Sequence, residues 1–334
     1  MKKCVILFVA MMISVGLLFS QGVYEKDYDE FWKILDDYYP GKVLAEKDGL
    51  DLKALEEGGR EQVKNAKSVE EFALILRNIA NKFTYIDYID ISLGSNGGEN
   101  IGSSKNAPSH QYIPSIKTVV FSVKSLLFGE EYISEVINSI EEVEHIVFDL
   151  TSCNSITNNL DPILSPFGGS WTYTYKGYAK SEEIAASYPD IVVSKTDKSS
   201  KAYGYGLKTT LQRTVEYEYG EGTIEGKAKD AKRWILVGNL TGFGADYLAS
   251  FSKETGWARV VGTRSPGNGT GLPFCSFTLP NTNIVVSFNP IVLDDGKGDL
   301  KTKTGNMPDV LAKGGKSALS VCIEMIEKTR RRFY

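Results

Sequence analysis

The chain has 334 residues, of which 42% are hydrophobic, enough to bury one large core or two smaller ones. Its 38 basic and 42 acidic side chains leave a net charge of −4, so no excess of cations attracts nucleic acid, and that partner class is set aside.

Met1-Lys2-Lys3 and the apolar run from Val5 to Phe19 read as a secretory signal over residues 1–21, with Ser20-Gln21-Gly22 as the cleavage zone. The mature protein is therefore expected outside the cytoplasm, periplasmic or secreted, with no integral membrane span after cleavage. An uncleaved anchor is the alternative, for which the run is slightly short. Cys153, Cys275 and Cys322 follow the signal; their odd number leaves at least one unpaired in the monomer, and none has zinc-site spacing. Burial as small apolar side chains accounts for them, and no metal or cofactor is implied.

Asp27-Tyr-Asp-Glu30 has capping-box spacing, and Tyr28, Phe31, Trp32 and Leu35 recur at helical intervals up to Pro40-Gly41. Ser68-Val-Glu-Glu71 repeats the signal ahead of Phe72, Ile75, Leu76 and Ile79. Residues 23–90 are thus expected to form a small helical N-terminal module whose aromatics are core rather than a ligand box. Residues 93–115, with Leu93-Gly-Ser-Asn-Gly-Gly and Pro108, read as a polar glycine-rich loop.

From Lys117 onward strands and helices alternate. Residues 118–123 predict a strand, Tyr132, Ile133, Val136, Ile137 and Ile140 one face of a helix, and residues 146–150 a buried strand, together a βαβ unit. Trp171-Thr-Tyr-Thr-Tyr175 alternates like a strand, and Tyr203, Tyr205, Tyr217 and Tyr219 continue a tyrosine-rich stretch that either lines a polypeptide groove or covers a sheet surface. Lys195 to Lys201 reads as a solvated loop. Next, Ile235, Leu236 and Val237 predict a strand, Gly242 and Gly244 a turn, Ala245 to about Lys253 a helix, and Arg259-Val-Val-Gly262 a second strand. Such a strand-turn-helix presents backbone N–H groups at the mouth of a site. Residues 274–280 and 284–288 look like paired strands, and Ser317 to Arg331 a closing helix with Leu319, Cys322, Met325 and Ile326 inward.

The strand-turn-helix resembles the nucleophile segment of the tail-specific (C-terminal processing) serine peptidases, which reads T-x-S-A-x-E and then G-x-x-T-x-G-K-G. Here the two motifs stand as Thr241-Gly-Phe-Gly-Ala-Asp246 and Gly262-Thr-Arg-Ser-Pro-Gly-Asn-Gly269, and a G-x-x-P-D-V signature is met by Gly305-Asn-Met-Pro-Asp-Val310. The resemblance spans about residues 25–325 and implies an α/β fold with a crotonase-like β/α core at 116–330. In its register the family's serine falls on Phe243 and its lysine on Asn268. In a weaker register at Asn81-Lys-Phe-Thr-Tyr85, the histidine of some members falls on Phe83. A phenyl ring has no nucleophilic atom and a carboxamide cannot take a hydroxyl proton near neutral pH. The family's oxyanion segment, D-L-R-x-N-x-G-G, keeps only Asp149-Leu150, followed here by Thr151-Ser-Cys-Asn-Ser155 without the glycines. The PDZ domain of many members has no room near residues 93–115.

Other nucleophiles are less well placed. Thr241 lies two residues early, Ser152 and Ser265 read as loop residues, and Cys153 has no spacing that pairs it with His110 or His145. Asp246, at the family's glutamate position, suits a helix-start charge. The expectation is a degenerate peptidase homologue that binds polypeptide segments or partner proteins, with Gly242, Phe243, Gly244 and Cys153 about the binding site. A serine or cysteine peptidase with a relocated nucleophile is the alternative, while acyl-CoA chemistry fits poorly with export.

Overall fold

The computed structural model describes residues 22–83, 88–94 and 108–331. The signal segment and most of the 93–115 stretch lie outside these, as do residues 84–87, which carry the end of the Asn81–Tyr85 motif.

The first helix runs over residues 22–38, so it begins a turn and a half before Asp27-Tyr-Asp-Glu30. Asp27 is no cap: its carboxylate is fully buried and accepts hydrogen bonds from Asn281 Nδ2 (2.7 Å) and from the N–H and hydroxyl of Thr282 (both 2.7 Å). Tertiary contact has taken the group that local spacing assigned to the helix start. Pro40 occupies the first turn of a second helix, Pro40–Lys47, where its missing N–H costs nothing. Helices Leu52–Val63 and Val69–Ala80 follow. Ser68 caps the latter as expected, accepting from Glu71 N.

A six-stranded sheet forms the centre, in the order Val310–Leu311, Arg259–Gly262, Lys232–Val237, His145–Asp149, Thr118–Ser122 and Ser109–Ile113. All neighbours run parallel except the last pair. Ser109–Ile113 falls where a loop was expected; five residues pairing antiparallel with a buried strand supply the ladder that their polar sequence hides. Helix Glu131–Asn138 makes the expected crossover between Thr118–Ser122 and His145–Asp149.

A four-stranded antiparallel sheet carries the tyrosine-rich stretch, in the order Ile291–Leu293, Gly169–Ala179, Thr209–Tyr219, Ile191–Lys195. Tyr173 and Tyr175 are buried from its inner face against Tyr247, with ring centroids 5.6 and 6.1 Å away. These rings are core rather than a groove lining. A third sheet, Ile89–Leu93, Ile284–Phe288 and Cys275–Thr278, is antiparallel. It closes one core with the N-terminal helices, in which Phe31, Phe72 and Leu76 pack with Leu279, Val286 and Phe288. Lys180 Nζ adds a tie to the carbonyls of Leu35 and Asp36 at the end of the first helix. The closing helix, Ala318–Arg331, buries Cys322 and Ile326 on the central sheet.

Candidate functional site

The strand Lys232–Val237 ends in a tight turn before the helix Gly244–Thr255, and the link Gly242–Phe243 pairs in parallel with Asn154–Ser155. Gly242 N–H donates to the Cys153 carbonyl at 2.9 Å, so the two segments at the C-terminal ends of neighbouring sheet strands are zipped together. Gly244 permits this approach: a Cβ there would lie 1.9 Å from the Thr157 carbonyl oxygen.

Phe243 sits at the apex with φ 50° and ψ −116°, a strained conformation for any residue with a Cβ. A sharp, strained strand-to-helix turn is the device by which hydrolases push a nucleophile out over a sheet. Here it carries a phenyl ring. That ring is 6% exposed and packs edge-on to Phe274 (5.5 Å) and Tyr88 (6.1 Å), which themselves lie 6.4 Å apart. Asn268 stands beside it, its Oδ1 accepting the Phe243 N–H at 3.0 Å. The structure thus brings Phe243 and Asn268 together, and the amide is spent on holding the backbone of the turn.

Phe83 makes no ring contact with Phe243 among the described residues; it is fully buried in the core shared by the N-terminal helices and the third sheet, with its ring edge-on to Tyr39 at 5.7 Å. Thr241 is also committed: its hydroxyl donates to the Leu150 carbonyl (2.7 Å) and accepts from Gly238 N–H (2.9 Å). Cys153 is fully buried, and burial pushes its thiol up to about 12, which keeps it protonated and inert at neutral pH. No imidazole pairs with it. His145 stands at the opposite end of the strand His145–Asp149, roughly 13 Å along, where Nδ1 accepts from the Trp234 indole at 3.2 Å. His110 Nδ1 is bonded to the Tyr132 hydroxyl at 3.0 Å. Ser152 is an exposed loop residue. In the segment that follows the strand His145–Asp149, Asp149 Oδ1 accepts from the N–H and hydroxyl of Thr151, at 3.0 and 2.6 Å.

Beneath the turn lies a buried polar cluster that local sequence patterns did not reveal. Asp246, 1% exposed, accepts from the Ser265 hydroxyl and from Gly269 N–H (3.0 Å), tying the helix start to the segment that carries Asn268. One turn on, Ser250 Oγ accepts from Lys301 Nζ (2.9 Å) and Asn306 Nδ2 (3.0 Å). Burial holds the Lys301 ammonium below the usual lysine range, against the opposing pull of Asp246 and Glu254. A serine beside a depressed lysine is a nucleophile–base pair in kind, yet Ser250 is 1% exposed. Ser250 and Lys301 are about fifty residues apart, and no periodic signal links a helix interior to a distant short helix. Among the described residues no group of His, Cys, Asp and Glu side chains is gathered to hold a metal ion.

No family model matches the chain, and no curated protein matches it. Solved structures do. A candidate peptidase from Parabacteroides merdae aligns over 91% of this chain and 96% of its own, with 14% identity and a TM-score of 0.57. Mature CPAF aligns over 88% of this chain and 93% of its own, with 10% identity and a TM-score of 0.53. The strand-turn-helix with its buried support accordingly sits in a mixed α/β chain that shares the fold of these two proteins.

Proposed function

We propose that the protein is an exported, catalytically degenerate homologue of the tail-specific serine peptidases that binds polypeptide segments or partner proteins. The observation that carries this reading is the occupancy of the strained turn: Phe243 fills it with a ring packed on Phe274 and Tyr88, and Asn268 is consumed by the Phe243 N–H. Neither side chain can form or break an acyl bond. Polypeptide binding is supported by apolar side chains left in water about the turn. Leu240 is 60% exposed three residues before Phe243, and Ile156 is 44% exposed immediately after the segment paired with it. Export rests on the basic and apolar character of residues 1–21, and the crotonase-like form of the core rests on the resemblance of its motifs and their order.

The test is incubation of the purified mature protein with an unstructured polypeptide of apolar C-terminus. The expected outcome is retention of the polypeptide without cleavage, with Leu240→Glu weakening retention about tenfold, the equivalent of about 1.4 kcal/mol. Turnover that tracks the protein through purification overturns the reading.

One contact favours a second reading, a serine hydrolase with a relocated nucleophile: Lys301 Nζ lies 2.9 Å from Ser250 Oγ. The lysine donates in that contact, so it acts as a base only after losing a proton, which its burial promotes. A substrate carbonyl has no access to a hydroxyl that is 1% exposed. This reading requires a fluorophosphonate probe to label Ser250, with labelling lost in both Ser250→Ala and Lys301→Met. Absence of labelling in the intact protein removes it.

A further inference from the structure

A recess lies at the end of the central sheet opposite the Phe243 turn. It is an open cleft of about 550 Å³ lined by residues 230–234, 256–259 and Thr329. Lys232 opens the strand Lys232–Val237 and Arg259 opens its neighbour Arg259–Gly262, with Arg259 in register with Trp234. The cleft is therefore separated from Phe243 by the length of a strand, roughly 15–20 Å.

Three cations line it, Lys232, Arg233 and Arg259, against one carboxylate, Asp230. None of the three makes an ion pair among the described residues, where Lys33, Lys42, Lys117 and Arg60 do. Arg233 is built in rather than draped over the surface. Its guanidinium stacks on the rings of Phe167 (5.3 Å) and Trp257 (5.2 Å), and its Nε donates to the Trp257 carbonyl at 2.8 Å. The terminal Nη1 and Nη2 have no acceptor among the described residues. Arg259 stands over the Trp234 ring at 6.0 Å. Arg233 is half-buried while Lys232 and Arg259 are exposed, and a cation partly withdrawn from water without an acidic partner is stabilised by an anion that supplies the missing charge. The volume suits a small organic molecule, and a fork of free guanidinium N–H groups suits an oxyanion.

We propose that this cleft is a binding site for a small molecule bearing a phosphate or carboxylate group, held by Arg233 and Arg259 with Lys232 at the rim. Burial lowers the affinity of Arg233 for its proton, and a bound oxyanion reverses that desolvation cost. The site is independent of the Phe243 turn and stands whether or not the protein cleaves peptides.

The experiment is titration of the mature protein with inorganic phosphate, and separately with citrate, at ionic strength held constant with sodium chloride, read by calorimetry and by the midpoint of thermal unfolding. Arg259 is exposed, so Arg259→Gln and Lys232→Gln are expected to unfold in chloride at the temperature of the parent protein. Saturable binding of at least one anion, weakened about tenfold or more by Arg259→Gln, is the expected result. Tighter phosphate than citrate assigns a phosphorylated ligand, and the reverse order a carboxylated one. No saturable binding of either, or equal binding by the parent and the Arg259→Gln, Lys232→Gln double variant, overturns the proposal.

Discussion

At Phe243 two opposed effects meet on one residue. The backbone at φ 50° and ψ −116° costs an L-residue about 1–3 kcal/mol, while glycine adopts the mirror region freely but loses about 0.5–1 kcal/mol of chain entropy on folding. Strain outweighs the entropy loss, so Phe243→Gly is expected to be more stable than Phe243→Ala by about 1 kcal/mol in urea unfolding. The reverse order, as at an ordinary helix position, removes the strain argument. Strained apices of this kind accompany function, which makes the persistence of this one without a nucleophile informative. His145 sets a second expectation. Burial, helped by Lys232, holds its imidazole down to about 4 from 6.5, against the pull of Glu144. Between those values the unfolded chain takes up a proton that the folded chain refuses. The stability this neutral imidazole contributes is therefore present above pH 6.5 and lost as pH falls toward 4, with a slope of up to about 1.4 kcal/mol per pH unit. His145→Gln is expected to flatten that part of the stability–pH curve; an unchanged curve contradicts the assignment.

The helix Gly244–Thr255 shows why an element can be legible while its role is not. Glycines, a strand before and a strand after mark it in the sequence, and the observed bounds differ from the expected ones by a residue or two. What holds it, however, is distant: Ser265 and Gly269 on Asp246, and Lys301 and Asn306 on Ser250. Asp246 thus serves as a tertiary anchor, not merely a helix-start charge. The first helix repeats the lesson through Asp27, whose capping-box spacing is genuine and whose partners lie some 250 residues away. Asp27→Ala leaves the half-buried Thr282 N–H and the Asn281 side chain without their fully buried acceptor, and is expected to cost about 2 kcal/mol in denaturant unfolding. Asp27→Asn, which keeps the shape, is expected to cost less. A loss below about 0.5 kcal/mol in the alanine variant contradicts the anchor.

Across the whole molecule the N-terminal helices do not form a core of their own. Tyr39 meets Phe288 at 5.0 Å, Tyr38 stacks on Phe277 at 4.8 Å, and the third sheet joins residues 89–93 to residues 275–288. The chain is accordingly expected to unfold in a single calorimetric transition, and residues 22–90 expressed alone to remain unfolded; two separated transitions, or a cooperatively folded fragment, contradict this. The sequence by itself determined the alternation of strands and helices after Lys117, the capped helix at Ser68 and the chemistry absent from Phe243 and Asn268. Those are properties of residue type and local period, which a chain carries before it folds. Only the tertiary structure decided that Asn268 Oδ1 faces the Phe243 N–H, that Tyr88 and Phe274 close over the ring, that Phe83 belongs to the core shared by the N-terminal helices and the third sheet, and that Ser250 meets Lys301. Each of these is a contact across dozens of residues, set by how separate elements pack, and no local pattern encodes such a distance.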